Sequence, residues 1–393
     1  LDPMGKARIY SVIKDLSEEY GLTMIVSEAG MNIESICEIA DRMIVMEDGK
    51  IELDGPPEEV VKHELTQRLG IPQVTELFLR LRKENPKIPL PVKLEDAIGY
   101  FRKNCKGRKV KPPRRRTAAS EKKGEPIIHI RNLDHVYPSY PPVHALQGIS
   151  LDIYPGEYVG IIGQNGGGKT TLAYHLVGLL KPTNEDAEVI VDGIDVTKSD
   201  LPEITKHINY AFQNPDHQFF CETVREELAY GLRKRDVSRE EIDRVSMEAL
   251  KNFGVEEYMD WYMRHLPRDV KTYVAEATIA ALDPKILIID EPTGGLDTGG
   301  ALKMMESLER LNKAGKTLII ITHDVKVISQ YARRVIAIKQ GTILLDGPTN
   351  EVFSKWETLA EDWIKPPQIT QLGQQLSDMG FPQDVVSIDE MYG

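Results

Sequence analysis

A glycine-rich loop at residues 163–170 constrains this chain more than any other feature. Its sequence is Gly163-Gln164-Asn165-Gly166-Gly167-Gly168-Lys169-Thr170. The apolar run 158–162 before it predicts a buried strand, and the run 171–180 after it has helical spacing. In a strand–loop–helix context, glycines let backbone N–H groups converge on phosphate oxygens, a geometry that a Cβ would obstruct. The sequence therefore predicts a phosphate-binding loop.

The loop and the residues that follow it have separate expected roles. The N-terminus of the following helix adds a partial positive charge. Lys169 is expected to reach the β- and γ-phosphates of a nucleotide, and Thr170 to offer its hydroxyl to Mg²⁺. We assign Thr171 to nucleotide binding together with the loop.

Composition sets limits on the class of protein. The 393 residues are enough for two or three domains, and 41% hydrophobic with 28% charged residues suits a packed core. A net charge of −12 argues against nucleic acid as the main partner. No apolar run has the length of a membrane span, and no signal peptide is visible.

The chain repeats itself with a period of about 295 residues. Five ordered blocks match: Leu1-Asp2-Pro3 with Leu296-Asp297-Thr298, 23–27 with 317–321, 39–46 with 331–338, 49–56 with 341–348, and 71–77 with 366–372. The repeat predicts a duplicated domain. Residues 1–64 are then the closing part of a first domain whose opening part, with its own phosphate loop, is not in this chain.

The repeat also predicts the domain boundaries. Residues 127–355 form a complete second domain, and 65–101 and 356–393 are C-terminal extensions of the two copies. Residues 102–126 are basic and proline-bearing, which is typical of a linker. A solvated tether is the simpler interpretation of this stretch, and attraction to anionic lipid headgroups is the alternative.

Further candidate residues follow apolar runs in the second domain. Asp290 and Glu291 end such a run, so Asp290 is expected to hold Mg²⁺ and Glu291 to polarise an attacking water. His323 follows another run and is positioned to sense the γ-phosphate. Gln213 follows a third and is a candidate contact for both Mg²⁺ and the water. Tyr140 is the candidate for stacking on an adenine, with Tyr137 as the alternative.

This order of motifs resembles the ABC-type nucleotide-binding domain. The segment from Phe212 to Phe219, with 223–228 after it, is more specific and is similar to the ATPases of energy-coupling factor transporters, the cobalt and vitamin importers. The resemblance covers residues 127–355 fully and 1–64 as a partial copy. It implies an α/β P-loop NTPase fold with a RecA-like core, an antiparallel β subdomain and a helical subdomain.

The resemblance also implies function and partners. It implies an ATPase that binds ATP and Mg²⁺ at the cytoplasmic face of the membrane as a peripheral subunit. Two ABC domains would pair head to tail around two ATP molecules, beneath a membrane coupling subunit and a separate substrate-binding membrane subunit. The groove beside the Gln213 loop would receive the coupling helices. The transported metal ion or vitamin is not encoded in this chain.

The sequence departs from the family pattern at two places, and both would belong to the same composite ATP site. The family's Leu-Ser-Gly-Gly-Gln signature is replaced by Leu266-Pro267-Arg268-Asp269-Val270, and the repeat places Ala29 where the family's histidine belongs. In a head-to-tail pair both changes lie in the same composite site. We therefore expect one hydrolytic site and one degenerate site, unless the signature lies elsewhere in the chain.

Two other functions share part of this pattern. A soluble tandem ABC ATPase acting on the ribosome also joins two such domains by a charged linker, but the acidic balance fits RNA poorly. A DNA-repair or chromosome ABC ATPase would need a long heptad insertion before Asp290, and none is present in the sequence. On its own, with the first copy partial, the chain is expected to hydrolyse ATP poorly.

Overall fold

The computed structural model describes residues 3–27, 33–105, 124–235 and 237–392. The chain divides into two compact units. The first consists of the described parts of 1–118 with 297–299 and 348–393, and the second of the described parts of 119–296 with 300–347. Most of the basic stretch 102–126 lies outside the described residues.

The helices are numbered along the chain. They are α1 Pro3–Tyr20, α2 Ile33–Ile39, α3 Pro57–Val60, α4 Glu64–Leu69, α5 Gln73–Glu84, α6 Leu94–Asn104, α7 Lys169–Leu176, α8 Leu201–Ile204, α9 Val224–Leu232, α10 Arg239–Phe253, α11 Arg268–Ala281, α12 Thr298–Lys313, α13 Val325–Tyr331, α14 Thr349–Ser354, α15 Trp356–Ala360, α16 Gln368–Gln375 and α17 Ile388–Tyr392. None of these described helices is long and apolar enough to cross a membrane.

The strands are numbered in the same way. They are β1 Met43–Glu47, β2 Lys50–Gly55, β3 Ile128–Tyr137, β4 Val143–Ile153, β5 Tyr158–Ile162, β6 Glu188–Val191, β7 Ile194–Asp195, β8 Ile208–Ala211, β9 Ile286–Asp290, β10 Thr317–Ile321, β11 Arg334–Lys339 and β12 Thr342–Pro348.

The core of the second unit is a six-stranded sheet in the order β12-β11-β5-β10-β9-β8. Neighbouring strands from β11 to β8 run parallel. Every residue of β5, β8, β9 and β10 is buried, as expected for parallel strands covered on both faces. Because the strands are parallel, the loops that follow β5, β8, β9 and β10 meet at one edge of the sheet, where ligands bind in such folds.

Two smaller parts complete this unit. Strands β3, β4, β6 and β7 form an antiparallel sheet in the order β4-β3-β6-β7. Helices α9 and α10 pack through Ala229, Leu232 and Ile242, with Leu282 after α11 against them. The predicted fold, a RecA-like core with an antiparallel β subdomain and a helical subdomain, is confirmed.

The first unit contains the first copies of the repeated sequence blocks. Strands β1 and β2 form an antiparallel hairpin, in the place along the repeat that β11 and β12 hold in the second unit. Residues 23–27, whose counterpart in the repeat is β10, form no regular secondary structure, and Ile25 is 96% exposed. β10 pairs with a strand on each side, whereas residues 23–27 have no strand partner within the described part of the chain.

Residues 65–101 and 356–393, the two predicted extensions, share one hydrophobic core within the first unit. Its buried members include Phe78, Val74, Ile369 and Leu372 from the two extensions, and others come from residues 37–61. The ring of Phe101 on α6 also contacts that of Phe381, with centroids 5.2 Å apart. Apolar surface from two segments far apart in sequence is therefore buried in one cluster.

A reciprocal pair of hydrogen bonds joins the extensions at the first turns of α5 and α16. Gln368 Oε1 accepts from the backbone N–H of Val74 at 3.0 Å, and Gln73 Oε1 accepts from that of Ile369 at 3.1 Å. First-turn N–H groups have no partner inside their own helix. Each glutamine therefore caps the helix of the other extension.

Candidate functional site

The glycine loop follows β5 and leads into α7, as the sequence predicts. Gly163 has a φ of +151°, and a Cβ there would lie 2.2 Å from the backbone oxygen of Ile338. Gly168 has a φ of +106°, and a Cβ there would lie 2.4 Å from the backbone oxygen of Ala145. Only glycine fits at these two positions, so the close backbone path of the loop depends on them.

Lys169 begins α7 and its side chain folds back over the loop. Its Nζ donates to the backbone oxygens of Gly163 and Gln164 at 2.9 and 2.8 Å. The residue before it, Gly168, provides no side-chain cap, so the first-turn N–H groups of α7 point into the loop. The loop therefore gathers an ammonium group and a helix N-terminus, both of which favour an anion. Gln164 is half-buried and Asn165 is exposed.

Asp290, at the end of β9, lies directly beside the loop. Its Oδ2 accepts from Thr170 Oγ1 at 3.0 Å and from the hydroxyl of Tyr210 at 2.7 Å. Burial raises the pKa of the Asp290 carboxyl, although these two hydroxyl donors act in the opposite direction. The structure thus brings Thr170 and Asp290 together, as expected, and adds Tyr210, which the sequence analysis missed.

Glu291 and His323 form a second group at the same sheet edge. Glu291 Oε1 accepts from the backbone N–H of His323 at 3.0 Å and lies 2.6 Å from His323 Nδ1. Its Oε2 accepts from the hydroxyl of Thr322 at 2.7 Å. Burial acts to raise the pKa of Glu291, but His323 and then Thr322 outweigh it, so this pKa is lowered. The carboxylate is therefore held ionised and oriented at neutral pH.

The backbone at Glu291 is also unusual. Its φ is +53°, in the left-handed region that residues with a Cβ adopt rarely. The backbone N–H of Glu291 donates to the oxygen of Ile321 at 2.7 Å, which ties the turn to the neighbouring strand. This turn directs the side chain toward His323 rather than along the strand.

Gln213 lies two residues after β8 and is exposed. The segment that follows it is fixed to α11 by two contacts. Gln218 Nε2 donates to the backbone oxygen of Ala275 at 2.8 Å, and Lys271 pairs with Asp216 at 2.7 Å. The Gln213 loop is therefore anchored to α11.

The two tyrosine candidates differ in their surroundings. Tyr140 is fully exposed. The hydroxyl of Tyr137 lies 3.3 Å from Thr171 Oγ1 on α7, and its ring contacts that of His135 with centroids 4.5 Å apart. Of the two, Tyr137 is the one that the structure places beside the glycine loop.

Residues 266–270, which the resemblance aligns with the family's signature, lie at the start of α11. Pro267 occupies the N-cap position and offers no side-chain cap, while Asp269 lies in the first turn. Beside it, the Arg268 guanidinium lies close to Gly295. Ala29, which the repeat aligns with His323, lies outside the described residues.

Comparisons with known proteins agree with this geometry. A family model for the ABC transporter matches residues 146–294. A putative ABC transporter ATP-binding protein, TTE1589 of Caldanaerobacter subterraneus, is 37% identical over all of this chain, which covers 68% of that protein. Two further relatives, from Methanosarcina species, are covered to 63% and 65% of their length, so this chain spans about two thirds of such relatives.

Relatives of single-domain length are also found. The energy-coupling factor transporter ATP-binding protein EcfA of Methanothermobacter thermautotrophicus is 37% identical over 68% of this chain and 85% of its own length. The solved structure of cbiO1 from Clostridium perfringens, described as part of the ABC transporter complex cbiONQ, has a TM-score of 0.54 at 33% identity. It covers 63% of this chain and 99% of its own. The chain therefore belongs to the family of ABC transporter ATP-binding proteins, and is homologous to the ATP-binding subunits of energy-coupling factor transporters.

Proposed function

We propose that this protein is the ATP-hydrolysing subunit of an energy-coupling factor importer for a metal ion or a vitamin. The observation that carries the proposal is the convergence of the glycine loop, Asp290, Glu291 and His323 at one sheet edge. The similarity to EcfA supports the importer class. In this proposal the larger importer assembly transports the substrate, and this chain supplies the free energy of ATP hydrolysis.

The side chains divide the work of hydrolysis. The loop N–H groups and Lys169 bind the phosphates, and Tyr137 is better placed than Tyr140 to meet the base. Glu291, kept ionised, orients and polarises the attacking water. His323 uses Nδ1 to hold Glu291, so its contact to the γ-phosphate would come from Nε2. Gln213 remains the candidate contact for Mg²⁺ and the attacking water, and the loop that contains it is held to α11.

The residues present fit Mg²⁺. Thr170 and Asp290 provide a hydroxyl and a carboxylate 3.0 Å apart, the hard oxygen ligands that this ion prefers. Among the described residues, no cluster of three or more His, Cys, Asp or Glu side chains could hold a metal by itself. Phosphate oxygens and water would complete the coordination, as in other P-loop NTPases. When bound, the ion neutralises charge that develops on the phosphates.

The same proposal includes two composite ATP sites, one hydrolytic and one degenerate. A signature normally presents bare N–H groups and a hydroxyl to phosphate, whereas Pro267 has no N–H and Asp269 is negative. We assign this face to a degenerate composite site. Lys169, Glu291 and His323 belong to the hydrolytic one.

The test is Glu291→Gln in the full-length protein. Loss of the general base should lower ATP hydrolysis by at least about a hundredfold, while nucleotide binding persists. Glu256→Gln alters an exposed carboxylate in the second unit and is the matched control. It should leave the rate of ATP hydrolysis unchanged. Hydrolysis of Glu291→Gln at close to the wild-type rate would contradict the assignment of the two sites.

The membrane partner would dock beside the Gln213 loop. Phe220 and Tyr230 are exposed there, with ring centroids 4.5 Å apart, and Trp261 is exposed as well. Such a patch suits the apolar face of a coupling helix. We therefore expect the full-length protein to fractionate with membranes as a peripheral subunit. Fractionation with ribosomes instead would favour a translation ABC ATPase.

A further inference from the structure

We infer that Tyr210 is a positioning residue that fixes Asp290 for binding the Mg²⁺ of Mg²⁺–ATP. Tyr210 lies on β8, next to β9 in the sheet, and pairs in register with Ile288. Asp290 is two residues further along β9, so its side chain lies on the same face as that of Ile288. The long side chain of Tyr210 reaches this diagonal neighbour on β9. Its hydroxyl donates to Asp290 Oδ2 at 2.7 Å.

The two hydroxyl groups that donate to Asp290 differ in how many partners they serve. Thr170 and Tyr210 both donate to Oδ2. Under the proposed function, Thr170 also offers its oxygen to Mg²⁺, so its hydroxyl serves two partners. Tyr210 is buried, and its hydroxyl has no comparable second role in the proposed chemistry. It is therefore the donor that keeps Asp290 in one orientation whether or not the ion is bound.

The ring of Tyr210 is held rigidly from two sides. It makes edge contacts with Tyr174 on α7 and with Phe212, at centroid distances of 5.4 and 4.9 Å. One contact belongs to the helix of the glycine loop, and the other to the residue just before Gln213. A side chain fixed in this way loses little conformational freedom when it positions a ligand. Tyr210 thus links the Asp290 carboxylate to the helix that follows the glycine loop and to the segment that leads to Gln213.

The experiment measures metal affinity instead of activity. Tyr210→Phe removes the hydroxyl and keeps the ring. In the full-length protein with a non-hydrolysable ATP analogue, Mn²⁺ binding is titrated by electron paramagnetic resonance. We expect the Mn²⁺ affinity to fall roughly tenfold, the scale of one hydrogen bond to a charged group. Analogue affinity in EDTA should stay unchanged, because the phosphates are still held by the loop.

Tyr158→Phe is the matched control. Tyr158 lies on β5 of the same sheet and is buried, and its hydroxyl has no hydrogen-bond partner among the described residues. Its loss should leave Mn²⁺ affinity unchanged. A third variant, Tyr210→Leu, removes the ring as well as the hydroxyl. If Tyr210→Leu weakens Mn²⁺ binding while Tyr210→Phe does not, the residue only packs and the inference is wrong.

The role inferred for Tyr210 rests on the proposed Mg²⁺ site. The same Mn²⁺ titration distinguishes an error in the site from an error in the role of Tyr210. If the wild-type protein with nucleotide binds Mn²⁺ no better than without it, the Mg²⁺ site itself is wrong. If the wild type does bind it and Tyr210→Phe matches the wild type, only the role of Tyr210 is overturned. A Tyr210→Phe deficit equal to that of Tyr210→Leu assigns the effect to the hydroxyl.

Discussion

At the scale of the residue, a buried histidine pair lies behind the glycine loop. His175 on α7 is 1% exposed, and its Nε2 lies 3.1 Å from Nδ1 of His135. Burial, followed by the nearby His135, lowers the pKa of His175 from 6.5 to about 4. The neutral form is therefore favoured in the folded protein, because burial removes a charge here from water and the ring that faces it, His135, is not acidic.

This pair predicts a dependence of stability on acid. Between pH 6.5 and about 4, unfolded His175 binds a proton that the folded protein excludes, so the free energy of unfolding falls as pH falls. The loss from this group should reach about 2 kcal/mol at pH 5. Urea unfolding at pH 7 and pH 5 measures it.

His175→Gln should be less sensitive to that pH change than the wild type. The exposed His217→Gln is the control and should keep the wild-type dependence. An unchanged pH dependence in His175→Gln would show that other groups cause the loss.

At the scale of the element, the two extensions depend on each other's helix caps. Gln73 caps α16 and Gln368 caps α5, and a second matched pair supports them. Thr75 Oγ1 donates to the backbone oxygen of Pro91 at 2.8 Å, and Thr370 Oγ1 to that of Val385 at 2.6 Å. Equivalent residues of the sequence repeat thus make equivalent contacts, each at its own extension.

A crosswise effect follows from the caps. Gln73→Ala should expose the amide of Ile369, 296 positions away, because that N–H loses its acceptor. The amide of Val74, next to the substitution, should remain protected by Gln368. The cost should be about 1 kcal/mol, the usual size of a lost cap, and hydrogen exchange followed by mass spectrometry measures both amides.

Gln368→Ala should give the mirror result. Gln67→Ala removes a half-buried glutamine on α4 that donates to the backbone oxygen of Lys62, and it should change neither amide. If each variant lost protection equally at both amides, the two extensions would open together. The two glutamines would then not act as separate helix caps.

The elements also show how far sequence reasoning extends. The loop, Asp290, Glu291 and His323 were predictable because each follows an apolar run, and parallel strands bring such ends to one edge. Tyr210 was not, because its contact depends on the register of β8 against β9, which no local pattern encodes. The glutamine caps were equally hidden, since their partners are almost 300 positions apart. The choice between Tyr137 and Tyr140 needed the path of the chain after β3.

At the scale of the whole molecule, the proposed nucleotide site lies within the second unit. A ligand that binds the folded state alone stabilises it by an amount that depends on concentration over Kd. At about a hundredfold excess over Kd, ATP with Mg²⁺ should stabilise the second unit by about 2.7 kcal/mol. Hydrogen exchange should slow in β5, α7 and β9.

The first unit supplies the comparison within the same sample. Amides of α5 and α16 should keep their exchange rates when the nucleotide is added. Lys169→Ala should abolish the protection of α7, since it removes the ammonium group over the loop. Protection confined to the first unit would place the nucleotide elsewhere.

The interleaved chain path of the first unit has a consequence for synthesis. The core that joins α5 to α16 contains Val74 and Phe78 from one end of the chain and Ile369 and Leu372 from the other. All of the second unit, residues 119–296 and 300–347, is translated between them. During translation the second unit can complete its sheet first, while the earlier segment waits with its apolar side chains uncovered. The segment with Val74 and Phe78 would thus finish folding after the second unit, which is made later, and its dependence on chaperones should be greatest in that interval.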